Sequence, residues 1–182
     1  MDLKIDVLTA DTSPLIHLAS CGLLHSLTKA ARFVIADVVE IEATREGKPF
    51  AEEISAWIDS GKKDGSVIIE KTTTGETLKL ALKANPDYRQ KDGGELAILD
   101  WLLNKIRACD DHAMVIYENG KVPSMIQNWD MDANITILTT KAFLSYCKKE
   151  DLIKDAESAW EHMIEKYINM NSRHQTTLIR RG

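Results

Sequence analysis

The sequence predicts an α/β fold, a mainly parallel sheet covered by helices on both faces. Three observations lead there. Short runs of branched apolar residues recur at Ile5–Ala10, Arg32–Ala36, Ala113–Tyr117 and Ile135–Leu138, the signature of buried strands. Longer stretches with helical apolar spacing lie between them, and strands that alternate with helices favour parallel pairing. The length of 182 residues suits one domain with a sizeable core.

Composition narrows the function classes. A net charge of −5 does not suit a general nucleic-acid binder. It leaves room for an enzyme whose acidic site reaches phosphate through a divalent ion. No apolar run approaches the ~20 residues of a membrane span, and Met1-Asp2-Leu3-Lys4 lacks the regions of a signal peptide. A cytoplasmic protein without membrane contact is expected. Cys21, Cys109 and Cys147 lie far apart, match no zinc spacing and, being odd in number, argue against a disulfide framework.

The first strand runs into Asp11-Thr12-Ser13-Pro14. Ser13 is a good N-cap and Pro14 suits the first helical position, so a helix is expected from Pro14 to Ser20, stopped at Cys21-Gly22. Asp11 then stands in the strand–helix turn without a capping duty. Ligands of open α/β sheets bind outside that edge, which makes Asp11 a candidate functional carboxylate; turn polarity is the plainer account. His17 could face such a site; a surface or half-buried histidine is the plainer account. Leu23, Leu24 and Leu27 begin a short second helix.

After the second strand, Asp37 is expected to cap a helix through Thr44. Glu42 falls three residues after Val39 and four after Val38, on the apolar face, where a carboxylate is costly without a partner. Glu40 and Glu46 read as solvated, with Glu40 the alternative to Glu42. Beyond the turn at Glu46-Gly47-Lys48-Pro49, Phe50, Ile54, Trp57 and Ile58 keep helical spacing. That helix is expected to end at Ser60-Gly61, before a loop through Ser66. Val67–Glu70 reads as a strand or edge strand, and Glu76–Lys83 as a short helix broken by Asn85-Pro86-Asp87. Lys71–Lys91 shows no chemistry.

Asp92-Gly93-Gly94-Glu95 opens the clearest helix. Leu96, Leu99, Leu103 and Ile106 form one stripe, widened by Ile98 and Leu102. Asp at the cap with Glu three residues later resembles a capping box, which would occupy Glu95 with the backbone. Otherwise Glu95 projects towards Asp11, with Asp92 the lesser candidate. The next strand ends in Glu118-Asn119-Gly120, so Glu118 repeats the placement of Asp11, although Asn-Gly is also a turn signal. Pro123–Trp129 suggests a short helix. Asp130 and Asp132 have calcium-like spacing, but nothing completes that loop. Thr139 or Thr140 caps a helix through Phe143, Leu144 and Cys147. Ala156, Trp160, Met163 and Tyr167 stripe a final helix that packs on the core or on a partner. Asn169–Gly182 is a polar tail made basic by Arg173, His174, Arg180 and Arg181.

Asp11-Thr12-Ser13 after a strand resembles the opening motif of PIN-domain nucleases. The resemblance extends to about Ile153 and is weakest over Lys71–Lys91. Glu42 matches a Glu that the family carries on the helix after its second strand. Gly94-Glu95 resembles its Gly-Glu at a helix start, and Glu118 matches the acidic residue after the corresponding strand, where Asp is commoner. The strand–Thr-Thr–helix segment, followed by Asp151-Leu152-Ile153, resembles the end of the fold.

The resemblance implies a PIN-like α/β/α sandwich over residues 1–168, with the tail 169–182 outside it. It implies a metal-dependent endoribonuclease acting on single-stranded or structured RNA. Asp11, Glu42, Glu95 and Glu118 would hold Mg²⁺ or Mn²⁺, which favour hard oxygen ligands. Ser13 or Thr12 would hydrogen-bond Asp11 or a metal-bound water. Many bacterial relatives are toxins of toxin–antitoxin pairs, so an antitoxin protein joins RNA as an implied partner, with a homodimer beside it. The alternative class is a non-catalytic, degenerate PIN-like module that scaffolds partners. A regulator-like protein with Asp11 as phospho-acceptor would want a second nearby Asp and a suitably placed Lys, which the sequence does not clearly offer.

Overall fold

The computed structural model of the chain describes residues 6–9, 11–28, 31–105, 113–118, 120–128 and 135–166. Five strands form one sheet: β1 (Asp6–Thr9), β2 (Arg32–Ala36), β3 (Val67–Glu70), β4 (Ala113–Tyr117) and β5 (Ile135–Thr139). Their order is β3-β2-β1-β4-β5, and each pairing is parallel. The expected sheet is therefore present, with Val67–Glu70 at one edge. The helices are α1 (Thr12–Ser20), α2 (Leu24–Leu27), α3 (Asp37–Ala43), α4 (Ala51–Asp64), α5 (Thr73–Ala84), α6 (Gly93–Lys105), α7 (Lys121–Asn128) and α8 (Thr140–Lys149), with α9 over residues 156–166.

Successive side chains of a strand point to opposite faces, and this alternation sorts the strand residues between two cores. Val7, Phe33, Ile35, Met114 and Ile116 pack with Leu15 and Leu18 of α1, Ile54 and Trp57 of α4, and Phe143 of α8. Leu8, Val34 and Val115 pack with Ile98 and Leu102 of α6 and Val122 and Ile126 of α7. The chain thus leaves β1 for one face and β4 for the other. These two strands are neighbours, so the strand order reverses between them. A crevice at their carboxyl ends is the usual consequence in an open α/β sheet.

Several elements differ from expectation for local reasons. Helix α4 does not end at Ser60-Gly61 but continues to Asp64, where Gly65 stops it at φ 77°. Gly61 serves close packing instead, because a Cβ there would run into Val67. Helix α5 starts earlier than Glu76, at Thr73, because the Thr72 hydroxyl caps it by accepting the Gly75 N–H at 2.9 Å. On α6 the buried face is centred on Ala97, Ile98 and Leu102, and Leu96 is 44% exposed; the sheet takes the widening residues as its main contact. Ala156 and Met163 of the final stripe are buried. Cys21 and Cys147 are free, and burial pushes the Cys147 thiol up to about 12. The expectations for Ile5, Ala10, Ile106, Cys109, Trp129, Asp130, Asp132, Tyr167 and Asn169–Gly182 lie outside the described residues. No helix among the described residues is long and apolar enough to cross a membrane.

Candidate functional site

Parallel register fixes the level at which the polar chemistry stands. Thr9 pairs with Ile116, so two residues further on Asp11 and Glu118 leave the sheet side by side. Leu8 pairs with Val34, which brings Asp37 to the same level. Tyr117 pairs with Thr139, which sets Thr140 beside Glu118. Three carboxylates thus stand along the carboxyl edge of β2, β1 and β4, and their partners distinguish them.

Asp11 is the N-cap of α1. Its backbone is extended, with φ −151° and ψ −173°, and its Oδ1 accepts the Ser13 N–H at 2.7 Å. This overturns the expectation that Ser13 caps the helix and leaves Asp11 without a capping duty. The helix begins at Thr12, and Pro14 sits inside its first turn, where an N–H has no intrahelical partner to lose. The cap still leaves chemistry to spare, because a carboxylate offers about four acceptor sites. Burial raises the Asp11 carboxyl above its ordinary value, its bond from Ser13 pulls the other way, and the charges of Glu95 and Glu118 raise it further.

Glu42 is half-buried on α3, and the Thr12 hydroxyl donates to its Oε2 at 3.3 Å. It too is raised, first by burial and then by Glu95 and Asp11, against the lowering effects of Thr12 and Lys48. Glu40 instead pairs with Lys62 at 2.6 Å. Of the two glutamates, Glu42 is the one hydrogen-bonded to Thr12, the residue after Asp11.

Asp37 does not cap α3, since Ala36 holds that position. It is 1% exposed and accepts the Thr72 N–H at 3.2 Å and the Thr72 hydroxyl at 2.9 Å. Lys79 pairs with its other oxygen at 2.5 Å. Its charge joins α3 to α5, so Lys71–Lys91, read as empty of chemistry, supplies the counter-ion of a buried carboxylate.

Glu95 is 7% exposed in the first turn of α6, and its charge acts on both Asp11 and Glu42. Asp92 precedes α6 with a left-handed φ of 54°, and its carbonyl accepts the Leu96 N–H at 3.1 Å. Asp92 pairs with Lys121 at 2.7 Å, and that bond holds it below its ordinary value. Lys121 also lies close enough to Glu95 to feel its charge.

Glu118 is held by two donors on one oxygen: Nδ1 of His17 and the Thr140 N–H each lie 3.3 Å from Oε1. Burial alone pushes this carboxyl up, but the bonds from His17 and Thr140 together outweigh it and keep it below its ordinary value. His17 is half-buried, as expected, and it adjoins the candidate site through Glu118. Its side chain is 14% exposed and its ring stands edge-on to Trp160 at 6.5 Å. The available signal was its position four residues after Ser13, on the same helix face.

The four expected acids therefore border one edge and act on one another: Asp11 with Glu95 and Glu118, Glu42 with Glu95 and Asp11. The donor set is all oxygen, with the Thr12 and Ser13 side chains adjoining, which is the chemistry Mg²⁺ and Mn²⁺ favour. Among the described residues, no group of three or more His, Cys, Asp or Glu is arranged to hold a metal ion. An open groove of about 850 Å³ near Lys48 and Phe50 and a cavity of about 420 Å³ near His25 and Trp57 are lined by none of the four. Comparison of the chain with protein-family models, with curated proteins and with solved structures finds no match.

Proposed function

We propose that the chain is a metal-dependent endoribonuclease of PIN type, built as a PIN-like α/β/α sandwich. One observation carries the reading. Four carboxylates from four separate elements border the edge where the strand order reverses, and Asp11 and Glu42 are both raised by burial and by repulsion from their neighbours. Such an edge favours any ligand that brings positive charge to it.

In this reading Asp11, Glu42, Glu95 and Glu118 hold Mg²⁺ or Mn²⁺. The bound ion would activate water and stabilise the phosphodiester transition state. The chain's own residues orient the ligands. The Ser13 N–H fixes Asp11, the Thr12 hydroxyl steers Glu42, and His17 with Thr140 fixes Glu118. Asp11 is the principal ligand, because it begins α1 at the reversal of strand order and repulsion reaches it from both sides. Lys48 and Lys121, beside Glu42 and Glu95, would meet substrate phosphates. RNA is the substrate class, an antitoxin protein and a second copy of the chain are the partners, and the cytoplasm is the location that this reading carries with it.

The second reading is a non-catalytic PIN-like module that scaffolds partners. It draws on the spread of the carboxylates, which form no metal-holding group among the described residues. An assay on protein freed of co-purified inhibitor separates the two. With single-stranded and structured RNA, cleavage is expected in Mg²⁺ or Mn²⁺ and not in chelator. Asp11→Asn should lower the rate by about two orders of magnitude or more, the scale of losing one electrostatic contributor. A wild-type protein indifferent to RNA and to divalent ions would favour the scaffold.

A further inference from the structure

We propose that His17 is a positioning residue for Glu118, the device by which a glutamate serves where a shorter aspartate would reach the cleft directly. The inference rests on the carboxylate site proposed above. Glu118 leaves the sheet at the level of Asp11 but carries one methylene more than aspartate. An extra rotatable bond spreads the carboxylate over more positions, and a ligand held loosely costs affinity. The structure supplies an anchor against this. Both hydrogen bonds to Glu118 among the described residues fall on Oε1, one from His17 on α1 and one from the Thr140 N–H at the start of α8. One oxygen is thereby tied to two helices, which fixes where the other can point.

His17 is built for that task. An ionised carboxylate only accepts hydrogen bonds, so Nδ1 carries the proton in this contact. The imidazole stands edge-on to Trp160 at an interplanar angle of 86°, and α9, which carries Trp160, is tied to the end of α1. Cys21 Sγ donates to the Ala159 carbonyl at 3.1 Å, and Lys166 Nζ to the Ser20 carbonyl at 2.8 Å. A partner that orients a metal-ligating side chain is typically worth about 10–100-fold in metal affinity.

Two substitutions separate the donor from the ring. His17→Phe keeps a ring against Trp160 and removes the N–H; His17→Asn removes the ring and keeps a donor near the Nδ1 position. Each is titrated with Mn²⁺ by calorimetry, beside a thermal melt without metal. The inference predicts that His17→Phe binds Mn²⁺ about 10-fold or more weakly with a near-normal melt, whereas His17→Asn binds close to wild type. Equal affinity in all three proteins would overturn it, as would loss of affinity in His17→Asn alone, which marks the ring as mere packing. His17→Leu repeats the donor-less arm if the phenyl ring disturbs folding. A wild-type protein that takes up no Mn²⁺ removes the carboxylate site itself and this inference with it, a result distinct from equal binding by all variants.

Discussion

The cap role of Asp11 needs an acceptor rather than a charge, and asparagine caps helices about as well as aspartate. Its ionised form is the disfavoured one in the fold, since burial and the charges of Glu95 and Glu118 hold its carboxyl above the ordinary value. The folded metal-free protein therefore binds this proton more readily than the unfolded chain does. Linkage then makes the carboxylate destabilising above its folded pKa. The penalty fades as pH falls through that value and is gone below the ordinary carboxylate value of about 4. Asp11→Asn should accordingly melt at or above the wild-type temperature near neutral pH, with the advantage shrinking on acidification. Glu118 carries the opposite sign: its lowered pKa gives stability that is complete above the ordinary value and lost as pH falls through the folded one, so Glu118→Gln should cost most at neutral pH. Melting curves of the three proteins across pH check both signs; an Asp11→Asn protein weakened equally at every pH would mark Asp11 as structural. The placements of Asp11 and Glu118 at strand ends and of Glu42 on a helix face were legible because they follow from local pattern. The contact of His17 with Glu118 was not, because the two lie 101 residues apart and only the sheet register brings them together.

At the scale of elements, the junction of α3 with α5 turns on Asp37, Thr72 and Gly75. The Thr72 hydroxyl donates to Asp37 while accepting from the Gly75 N–H, so one side chain caps α5 and anchors the buried acid. Gly75 lies in the first turn of α5, where a Cβ would collide with the Asp37 carboxylate. Helix propensity alone predicts that Gly75→Ala stabilises the protein by up to about 1 kcal/mol. Steric crowding of a buried, hydrogen-bonded carboxylate predicts the reverse, a loss of about 1–3 kcal/mol, or roughly 2–4 °C of Tm per kcal/mol in a chain of this size. We expect the loss; a melt that rises would show that the junction yields. Propensity misjudged the neighbouring elements in the same way. Gly61 looked like a helix stop because glycine usually ends helices, yet α4 continues through it against Val67. Leu96 looked like core because its spacing fits, yet the sheet selects Ile98 and Leu102. Element type could be read from the sequence, but the face and the final turn were set by packing between elements.

For the whole molecule, strand order is what brings acids scattered in the sequence to one edge of the sheet. The order β3-β2-β1-β4-β5 sets Asp11 and Glu118, far apart in sequence, on adjacent strand ends where the chain departs to opposite faces. Parallel pairing was legible from alternating apolar strands and helices, whereas the order rests on which faces the helices between strands take up. The same topology brings α3 and the first turn of α6 to that edge with Glu42 and Glu95. We propose that these four carboxylates form one divalent-metal site. Diffraction from crystals soaked in Mn²⁺ tests it most directly. An anomalous peak is expected between Asp11, Glu42, Glu95 and Glu118, with those side chains drawn together around it and the peak lost in Asp11→Asn. Fully soaked crystals with no peak at that edge, and with the four carboxylates still spread, would contradict it.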